Sequence, residues 1–488
     1  MSPQNGNGFG MSDKVKITLN GEEVEVDKGT TLLKASLDKG NDVPTFCYHD
    51  GLDKSGYCRM CLVEIDTPRG KRLITSCNTP CAEGTVCDSH SDAALVGRKA
   101  VLEFYLVNHP IDCPECDKAG ECTLQNNSYD HGQAKSRANL EDKIVKPRKD
   151  FGDKIRFYSQ RCVACRRCTQ FLDDVSGTSE LAFTQRGAHQ ELDVFPGKPI
   201  HNSLAKNIVD ICPVGALIDK DFQYTARPWL MSSSDSVCAG CSKGCAITVD
   251  HKDEKALRFK ARFDKEVNGH WICDHGRDTV KTLEINRHSN ALVDGEIVKV
   301  MVAKEKAVSL LAKEFKALVS AFNTQEEIEL TGELTDKKFV GALARADGDK
   351  EEFPEFTIPA DKNPNRAGVI QHVGDKAFDE AATIKNLEGV TTLLIINAIP
   401  EYQVSSTLLE ALKKVQNIVL LEAWKSDISD IATVVLPSAA ATEKDGTFIN
   451  DAGIERNVNF CVPTPGYAEM DFDILKFLNK ALSRVGAV

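Results

Sequence analysis

The chain has 488 residues, more than one hydrophobic core usually supports, so its length predicts several domains. Its 72 acidic residues outnumber its 60 basic ones and give a formal charge of -12, which argues against a nucleic-acid or anionic-membrane surface and favours protein partners. The longest apolar stretches, such as residues 393–396 and 431–436, fall far short of the roughly 18 residues that a membrane span needs. Any membrane contact is therefore expected to be indirect.

Residues 1–13 are polar and rich in glycine, without a basic start that leads into an apolar segment. They predict a disordered tail rather than a signal or transit peptide. Two alternating runs flank the turn dipeptide Asn20-Gly21 and predict a hairpin over residues 15–27, which a helix over residues 31–39 should follow. This order is how a small, half-open sheet would begin.

Residues 93–108 have helical periodicity that ends at His109-Pro110, because proline cannot continue a helix. His109 is therefore predicted to lie just past a helix end. Residues 135–153 are highly charged and poor in apolar side chains, which predicts a solvated linker.

The sequence changes character after residue 287. Helical patterns over residues 304–320 and 406–415 alternate with apolar strands over residues 391–396 and 418–422. This alternation predicts an α/β domain of about 200 residues.

All of the 18 cysteines except Cys461 lie between Cys47 and Cys273. Closely spaced C-x-x-C pairs in a chain without an export signal are typical of thiolate metal ligands rather than disulfides. Cys461 stands alone and is predicted to be structural.

The first ligand set combines two cysteines in a tight loop with two that are farther away, which suits a 2Fe-2S cluster. Spacing favours Cys77 only slightly over Cys81 or Cys87 as the fourth ligand, because a loop of either length could close the site. The cysteines left over would be small buried hydrophobic residues. The predicted set is Cys47, Cys58, Cys61 and Cys77.

The second set contains a histidine, His109, with Cys113, Cys116 and Cys122. Three cysteines and one histidine could equally form a structural zinc site. If His109 is a cluster ligand, its neutral imidazole replaces a thiolate and makes the cluster less negative by one charge, which changes the potential.

The third set is the ferredoxin-type 4Fe-4S pattern and the strongest single motif: Cys162, Cys165 and Cys168, followed after 43 residues by Cys212-Pro213. Zinc sites usually pair two C-x2-C units instead. The fourth set is Cys238, Cys241, Cys245 and Cys273. Zinc is possible there too, but the other sets favour iron and sulfur.

No G-x-G-x-x-G turn after a strand and no Walker-type loop occurs in the sequence, so dinucleotide binding has no visible site. Residues 274–488 also lack a further cysteine group for a catalytic metal centre.

Four motifs together resemble one protein family. They are Phe46-Cys-Tyr-His49, Cys58-Arg-Met-Cys-Leu-Val-Glu-Ile65, Asn108-His-Pro-Ile-Asp-Cys-Pro-Glu-Cys-Asp-Lys-Ala-Gly-Glu-Cys122 and Arg161-Cys-Val-Ala-Cys-Arg-Arg-Cys168. In this order they are similar to the large iron-sulfur subunit (the G subunit) of respiratory NADH-quinone oxidoreductase, complex I. The resemblance covers residues 15–287.

The resemblance implies a β-grasp, ferredoxin-like first module, in which Cys77 aligns with the fourth 2Fe-2S ligand. It also implies that His109 is a cluster ligand. The Cys238 set matches an additional cluster of some bacterial members, away from the main electron route. One 2Fe-2S and three 4Fe-4S clusters are therefore expected.

Farther along the chain, Asp430-Ile-Ala-Thr-Val-Val-Leu-Pro-Ser438 and Glu443-Lys-Asp-Gly-Thr-Phe-Ile-Asn450 look like the molybdopterin-oxidoreductase domain. The enzymes of that family carry a much longer domain. Asp274-His275 also follow Cys273 directly, whereas molybdenum enzymes tend to have a lysine a little farther on. No molybdopterin is therefore expected.

These observations predict a multidomain α+β and α/β fold. The expected parts are a disordered tail (1–13), a β-grasp 2Fe-2S ferredoxin-like domain (14–92), a 4Fe-4S segment with one histidine and three cysteine ligands (93–132), a 4Fe-4S ferredoxin-like domain (133–230), a 4Fe-4S module of molybdopterin-oxidoreductase type (231–287) and a reduced molybdopterin-oxidoreductase-like α/β domain (288–488).

The resemblance implies an electron-relay subunit of an NADH:quinone oxidoreductase that has no substrate site of its own. Its expected partners are the flavin- and NADH-binding subunit and a downstream 4Fe-4S subunit of the peripheral arm, on the cytoplasmic side of a bacterial inner membrane. The alternative is an iron-sulfur subunit of a soluble NAD-linked hydrogenase or formate dehydrogenase. A structural zinc protein is the remaining class.

Overall fold

The computed structural model describes residues 14–485, except 138, 140–142 and 144. The predicted disordered tail, residues 1–13, lies outside the described residues, as does part of the predicted linker over residues 135–153. The chain divides into two compact units, the N-terminal unit ending at Pro228 and the C-terminal unit beginning at Trp229. Both contain helices and several separate sheets, so the fold is mixed α/β and multidomain, as the sequence predicts.

Most regular elements of the N-terminal unit are short. Its strands are β1 (Lys14–Leu19), β2 (Glu22–Asp27), β3 (Leu62–Ile65), β4 (Arg72–Thr75), β5 (Val86–Asp88), β6 (Arg148–Asp150), β7 (Ile155–Tyr158), β8 (Leu181–Thr184), β9 (Glu191–Val194) and β10 (Leu217–Asp219). Its helices are α1 (Leu32–Asp38), α2 (Asp92–Asn108), α3 (Thr123–His131), α4 (Arg167–Gln170) and α5 (Asn207–Asp210).

The C-terminal unit is built around one large sheet. Its strands are β11 (Ser232–Val237), β12 (Ala246–Lys252), β13 (Lys255–Ala261), β14 (Ala291–Val293), β15 (Glu296–Val298), β16 (Lys316–Ser320), β17 (Phe339–Leu343), β18 (Glu351–Phe353), β19 (Phe356–Ile358), β20 (Thr392–Asn397), β21 (Asn417–Glu422), β22 (Val434–Pro437), β23 (Gly446–Ile449) and β24 (Glu455–Val458). Its helices are α6 (Asp274–Asp278), α7 (Val300–Leu311), α8 (Gln325–Thr335), α9 (Arg366–Val373), α10 (Glu380–Leu387), α11 (Ser406–Leu412) and α12 (Asp471–Val485).

The predicted hairpin at the start of the chain is present as β1 and β2. Asn20 and Gly21 have φ values of +53° and +86°, the left-handed conformations that a tight two-residue hairpin turn requires. Residues of both strands and of α1 share a buried apolar cluster, in a five-stranded sheet of order β2-β1-β5-β3-β4 among the described residues. Thr31 caps α1 by accepting the backbone N–H of Lys34.

Helix α2 confirms the prediction for residues 93–108 and ends at Asn108, directly before His109. The linker predicted over residues 135–153 is wrong at its C-terminal end, where β6 pairs with β7. The charges of β6 did not prevent strand formation because they are paired: Asp150 contacts Arg156 of β7 and Lys220.

The large sheet has the order β15-β14-β22-β21-β20-β16-β17 among the described residues, and β17, β16, β20, β21 and β22 run parallel. Successive side chains of these strands alternate between two buried clusters. One cluster includes side chains of α7, α8 and α12, and the other includes side chains of α10 and α11. Helices thus cover both faces, which explains why the strands read as continuous apolar runs.

The helix predicted over residues 304–320 is wrong in its second half. Helix α7 ends at Leu311, and residues 316–320 form β16, the strand between β20 and β17. Residues 317–320 are fully buried because packed elements cover both faces of this strand. A short apolar run of this kind cannot be assigned to helix or strand from its periodicity.

None of the helices in the described part of the chain combines the length and apolar character that crossing a membrane requires.

Candidate metal centres

The four residues of the Cys47 set lie together in the N-terminal unit. The sulfur of Cys47 lies within hydrogen-bonding reach of those of Cys58 and Cys77, and the sulfur of Cys61 reaches that of Cys77. The β3–β4 hairpin causes this approach, because its register pairs Leu62 with Thr75 and so places Cys61 beside Cys77. All four side chains are at most 2% exposed, so water is excluded from the sulfurs.

Hydrogen bonds within the Cys47 set favour the thiolate at Cys47, and the same hydrogen bonds, together with burial, raise the pKa values of Cys58 and Cys77. Hydrogen bonds from the thiols of Cys58 and Cys77 lower the pKa of Cys47. The backbone N–H of Phe46 also points at the sulfur of Cys58, at 3.4 Å. Thiolates are the form of cysteine that binds metal, and amide hydrogen bonds to sulfur raise the potential of an iron-sulfur cluster.

Cys81 and Cys87 are not part of this network of sulfur contacts. Both are buried, and burial raises the pKa of Cys81. Burial, followed by the charges of Asp88 and Cys81, raises the pKa of Cys87 to about 12. Both thiols therefore stay protonated at neutral pH, as expected of small buried hydrophobic residues.

The Cys-rich loop after α2 brings Cys113, Cys116 and Cys122 near one another. Burial raises the pKa values of Cys116 and Cys122. The charge of a neighbouring cysteine of the set raises each value further. Glycine is required at residue 215, because a Cβ atom there would lie 2.2 Å from the sulfur of Cys116. This sulfur therefore occupies space that only a glycine leaves open.

His109 follows the last residue of α2 and is partly buried. Burial lowers its pKa to about 4, so its imidazole is neutral at pH 7 and able to bind a metal. The charged groups that act on it are Asp112, Lys143 and Arg161.

The Cys162 set surrounds a small cavity. Cys162, Cys165, Cys168 and Cys212 all line a space of about 20 Å³. Burial raises the pKa values of Cys162 and Cys165 to about 12, and the charge of Cys212 contributes to both increases. The tight loop between the ligands holds Ala164 and Arg166 at positive φ, and the N–H of Ala164 lies 3.4 Å from the sulfur of Cys162.

The Cys238 set lies in the C-terminal unit, on the loop between β11 and β12 and at the start of α6. Its four side chains are between 3% and 6% exposed. The N–H of Gly240 points at the sulfur of Cys238 (3.4 Å), and the N–H of Gly276 points at that of Cys273 (3.3 Å). A Cβ atom at residue 276 would lie 2.9 Å from the sulfur of Cys238, so a larger residue would displace this ligand.

These donor sets fit iron-sulfur clusters. Buried sulfurs, backbone N–H groups directed at them and glycines beside them are what a cluster needs from its protein. Among the residues that the structure describes, no three or more histidine, cysteine or acidic side chains converge on a single metal-ion position.

Side chains of the N-terminal unit connect the Cys47 and Cys162 sets. The hydroxyl of Tyr105 on α2 donates to the carbonyl of Cys58 (3.0 Å). Burial raises the pKa of Tyr105, and the charges of Cys58 and Cys165 raise it further, so its ring lies near both sets. The guanidinium of Arg167 also donates to the carbonyls of Tyr48 and Ile211, each next to a ligand.

A second group of contacts connects the Cys162 set to the His109 segment. Arg161 is 4% exposed, and its Nε donates to Asp112 at 3.0 Å. The N–H of Thr123 donates to the carbonyl of Pro213 (2.9 Å), and the charge of Cys212 contributes to the raised pKa of Cys122. The residues around the Cys162 set therefore contact the surroundings of both other sets of the unit.

Sequence reasoning missed the residues that connect the sets. Arg161 and Arg167 stand inside the third cysteine motif, where their charges were a usable signal. Tyr105 lies in an ordinary amphipathic helix, and nothing in the sequence distinguishes it from a core aromatic residue.

A small cavity lies at the carboxyl edge of the large sheet. Phe322, Ala398 and Trp424, just beyond the ends of β16, β20 and β21, line a cavity of about 40 Å³. Cofactor pockets usually measure roughly 300–1,000 Å³. The guanidinium of Arg345 also lines this cavity and donates to the carbonyl of Pro400 at 2.9 Å.

Five family models match the chain in succession. They are a 2Fe-2S iron-sulfur cluster binding domain (residues 12–92), the NADH-ubiquinone oxidoreductase-G iron-sulfur binding region (98–137), the NADH-quinone oxidoreductase subunit 3 ferredoxin-like domain (152–218), the molybdopterin oxidoreductase Fe4S4 domain (231–284) and molybdopterin oxidoreductase (288–481). Binding domains for both 2Fe-2S and 4Fe-4S clusters are therefore present.

Curated relatives, each named as the G subunit of NADH-quinone oxidoreductase, match part of the chain. The protein from Streptomyces coelicolor is 39% identical over 54% of this chain and 31% of its own length. The Rickettsia bellii protein is 33% identical over 62% and 44%, and the Mycobacterium tuberculosis protein 37% identical over 55% and 33%. The chain thus spans less than half the length of these relatives.

Two solved structures are similar to parts of the chain. An NAD+-reducing [NiFe]-hydrogenase in the H2-reduced state is 27% identical, with a TM-score of 0.39, and the match covers 43% of this chain and 90% of that one. Acetylene hydratase from Pelobacter acetylenicus is 9% identical, with a TM-score of 0.32, and the match covers 52% and 69%. The sequence relatives and the domain models together confirm the resemblance predicted from the cysteine motifs: over 54–62% of its length the chain is similar to curated proteins named as the G subunit of NADH-quinone oxidoreductase.

Proposed function

We propose that this chain is the electron-relay iron-sulfur subunit of an NADH:quinone oxidoreductase. The observation that carries the proposal is a group of contacts in the N-terminal unit, where the residues around the Cys162 set contact both the surroundings of the Cys47 set and the His109 segment. Such contiguity suits successive one-electron transfers. In this proposal the substrate sites of the complex belong to other subunits.

The proposed ligands follow the four sets. A 2Fe-2S cluster is held by Cys47, Cys58, Cys61 and Cys77, and 4Fe-4S clusters are held by His109, Cys113, Cys116 and Cys122, by Cys162, Cys165, Cys168 and Cys212, and by Cys238, Cys241, Cys245 and Cys273. Each bound cluster supplies a centre that accepts and releases one electron. The protein holds the sulfurs, excludes water from them and directs N–H groups at them.

The domain limits predicted from the sequence are part of the proposal, with a β-grasp fold for residues 14–92 and a ferredoxin-like fold for residues 133–230. The small cavity at the carboxyl edge of the large sheet supports a domain that binds no molybdopterin.

The proposed partners are other peripheral-arm subunits. The subunit with flavin and the NADH site donates electrons, and a downstream 4Fe-4S subunit accepts them on the way to quinone. The acidic balance of the chain, with a formal charge of -12, favours such protein partners over nucleic acid. The complex would lie on the cytoplasmic side of a bacterial inner membrane, with only indirect membrane contact for this chain.

A matched pair of substitutions tests this proposal in the assembled complex. Cys165→Ser removes a ligand of the Cys162 set, and it should abolish one 4Fe-4S signal together with NADH-to-quinone activity. Cys241→Ser removes a ligand of the Cys238 set. It should abolish a different 4Fe-4S signal and lower the yield of the complex, because metal closure of the 238–273 segment contributes to folding.

Activity per assembled Cys241→Ser complex should stay near that of the wild type. If this complex lost its activity while the other three clusters were still reduced by NADH, the Cys238 set would be an obligatory relay and the proposed route would be wrong.

A further inference from the structure

Arg98 is a buried arginine on the inner face of α2. Its side chain is 1% exposed, and it is one of the largest fully buried side chains among the described residues. Its Nε and Nη2 both donate to the carbonyl of Leu62, at 3.0 Å and 2.7 Å. Leu62 begins β3 and directly follows Cys61, a proposed ligand of the 2Fe-2S cluster. These two hydrogen bonds therefore hold the guanidinium at the residue next to a ligand.

A second contact fixes α2 against the same ligand loop. Tyr105 lies on the same helix face as Arg98, because seven residues make about two turns of an α-helix. The hydroxyl of Tyr105 donates to the carbonyl of Cys58 at 3.0 Å. Leu102, between the two on this face, is 1% exposed. The helix thus contacts both ends of the 58–61 loop, so the position of Arg98 behind this loop does not depend on a single bond.

Among the residues that the structure describes, no carboxylate lies within ion-pairing distance of the Arg98 guanidinium. Two other arginines with buried side chains differ in this respect. Arg161 and Arg287, which are 4% and 6% exposed, pair with the carboxylates of Asp112 and Glu443. An isolated charge is costly to bury, and a single carbonyl compensates it only in part. The neighbouring protein groups thus leave the positive charge of Arg98 without a negative partner.

The proposed cluster would supply this partner. A 2Fe-2S cluster held by four thiolates is negatively charged in both oxidation states, and reduction adds one further negative charge. A fixed positive charge in a site of low dielectric constant stabilises the reduced form more than the oxidised form, which raises the reduction potential. The buried arginine and the cluster would therefore stabilise each other.

We propose that Arg98 is the internal counter-charge of the 2Fe-2S cluster at the Cys47 set and raises its reduction potential. This inference rests on the proposed function, because it needs a 2Fe-2S cluster at Cys47, Cys58, Cys61 and Cys77. Arg98 binds no iron. It acts through the charge that α2 positions behind the 58–61 loop, so its effect is measured as a potential.

Potentiometric titration of the assembled complex, followed by electron paramagnetic resonance, tests the inference. Arg98→Met removes the charge and both hydrogen bonds to Leu62, whereas Arg98→Gln removes the charge but keeps an N–H donor. At the wild-type midpoint potential, the ratio of reduced to oxidised 2Fe-2S cluster should fall by about tenfold in both variants, which corresponds to about 59 mV for one electron. Arg98→Lys keeps the charge and should keep the midpoint close to that of the wild type.

Lys99→Met is the matched control, because it removes a positive charge from the next residue of α2, which is exposed to solvent. Solvent and salt screen an exposed charge, so this variant should leave the midpoint unchanged. An equal fall of the midpoint in Lys99→Met and Arg98→Met would contradict a specific role for the buried arginine. A fall in Arg98→Lys as large as in Arg98→Met would show that the charge is not what sets the potential.

The yield of assembled complex answers the question if the uncharged variants fail to fold. In that case, assembly of Arg98→Lys with a wild-type midpoint supports the requirement for a positive charge. Failure of Arg98→Lys as well would overturn the inference, because the hydrogen bonds of the guanidinium rather than its charge would then be what the site needs.

Failure of the inference and failure of the proposed function can be distinguished. Cys77→Ala identifies the signal of the Cys47 set, and if it removes no 2Fe-2S signal, the proposed cluster and this inference are both wrong. If Cys77→Ala removes a signal but Arg98→Met and Arg98→Gln leave its midpoint at the wild-type value, the inference alone is overturned.

Discussion

The two units of the chain exclude water from their interiors by different means. In the N-terminal unit, the described strands are three to six residues long, and buried cysteines account for a large share of the interior. In the C-terminal unit, the seven-stranded sheet of the described residues is covered on both faces by apolar clusters that contain no cysteine. This difference indicates that the N-terminal unit depends on metal for its cohesion, whereas the large sheet has a hydrophobic core of its own.

Removal of iron is expected to reveal the largest difference in stability between the two units. After the clusters are stripped anaerobically, amides of β7 in the N-terminal unit should exchange hydrogen faster by on the order of 100-fold or more, because metal binding supplies folding free energy there. Amides of β20 should keep their protection, since apolar clusters cover both faces of the large sheet. Hydrogen-deuterium exchange read by mass spectrometry measures both in one sample.

Reconstitution with iron and sulfide is the control for this experiment and should restore the protection of β7. Equal loss of protection in β7 and β20 would show that the two units do not differ in this respect.

Lys444→Met should destabilise the C-terminal unit by about 3–5 kcal/mol, because it leaves buried carboxylates without a counter-charge. Lys444 is 1% exposed, and its Nζ lies 2.8 Å from Glu327 and 3.5 Å from Asp471. Urea unfolding followed by tryptophan fluorescence measures this, because all three tryptophans lie at residue 229 or beyond.

Lys413→Met provides the comparison for Lys444→Met. Lys413 forms an exposed pair with Glu410, and its loss should cost at most about 0.5 kcal/mol. Adding Glu327→Gln to Lys444→Met should recover part of the stability by removing one unpaired charge. Similar unfolding midpoints for the two lysine variants would refute the role of the buried ion pairs.

His109→Cys should keep a 4Fe-4S cluster in the N-terminal unit but lower its potential, because a thiolate adds the negative charge that neutral imidazole lacks. Burial holds the pKa of His109 near 4, so the wild-type ligand is uncharged at pH 7. A redox titration followed by electron paramagnetic resonance measures the shift. His90→Cys, at an exposed histidine, is the control. An unchanged spectrum and potential would show that His109 is not a ligand.

The smallest effect is expected for the cysteines outside the proposed ligand sets. Cys87→Ala should cost about 1 kcal/mol of stability and preserve the 2Fe-2S spectrum, because Cys87 serves as a small buried hydrophobic residue. Cys77→Ala at a neighbouring buried position should abolish that spectrum. Visible circular dichroism of the reduced protein distinguishes the two variants. If Cys87→Ala lost the 2Fe-2S spectrum and Cys77→Ala kept it, Cys87 rather than Cys77 would be the fourth ligand.

Local chemistry made some elements predictable from the sequence. Asn20-Gly21 specified a turn and Pro110 ended a helix, since both act through backbone conformations that neighbouring residues cannot override. The assignment failed for residues 316–320, where burial on both sides rather than local preference decided the structure. It also failed at β6, where charge partners distant in the sequence allow a strand.

The proposed ligand sets follow from motif spacing, because a cluster needs its sulfurs close together. Spacing could not decide between Cys77 and Cys81, because the β3–β4 register that places Cys77 beside Cys61 is a tertiary feature.

Iron, zinc and acid-labile sulfide measured on anaerobically purified protein test the central claim most directly. One 2Fe-2S and three 4Fe-4S clusters predict about 14 irons and as many sulfides per chain, with no stoichiometric zinc. Zinc in place of iron, without acid-labile sulfide, would contradict the assignment of this chain as an electron relay.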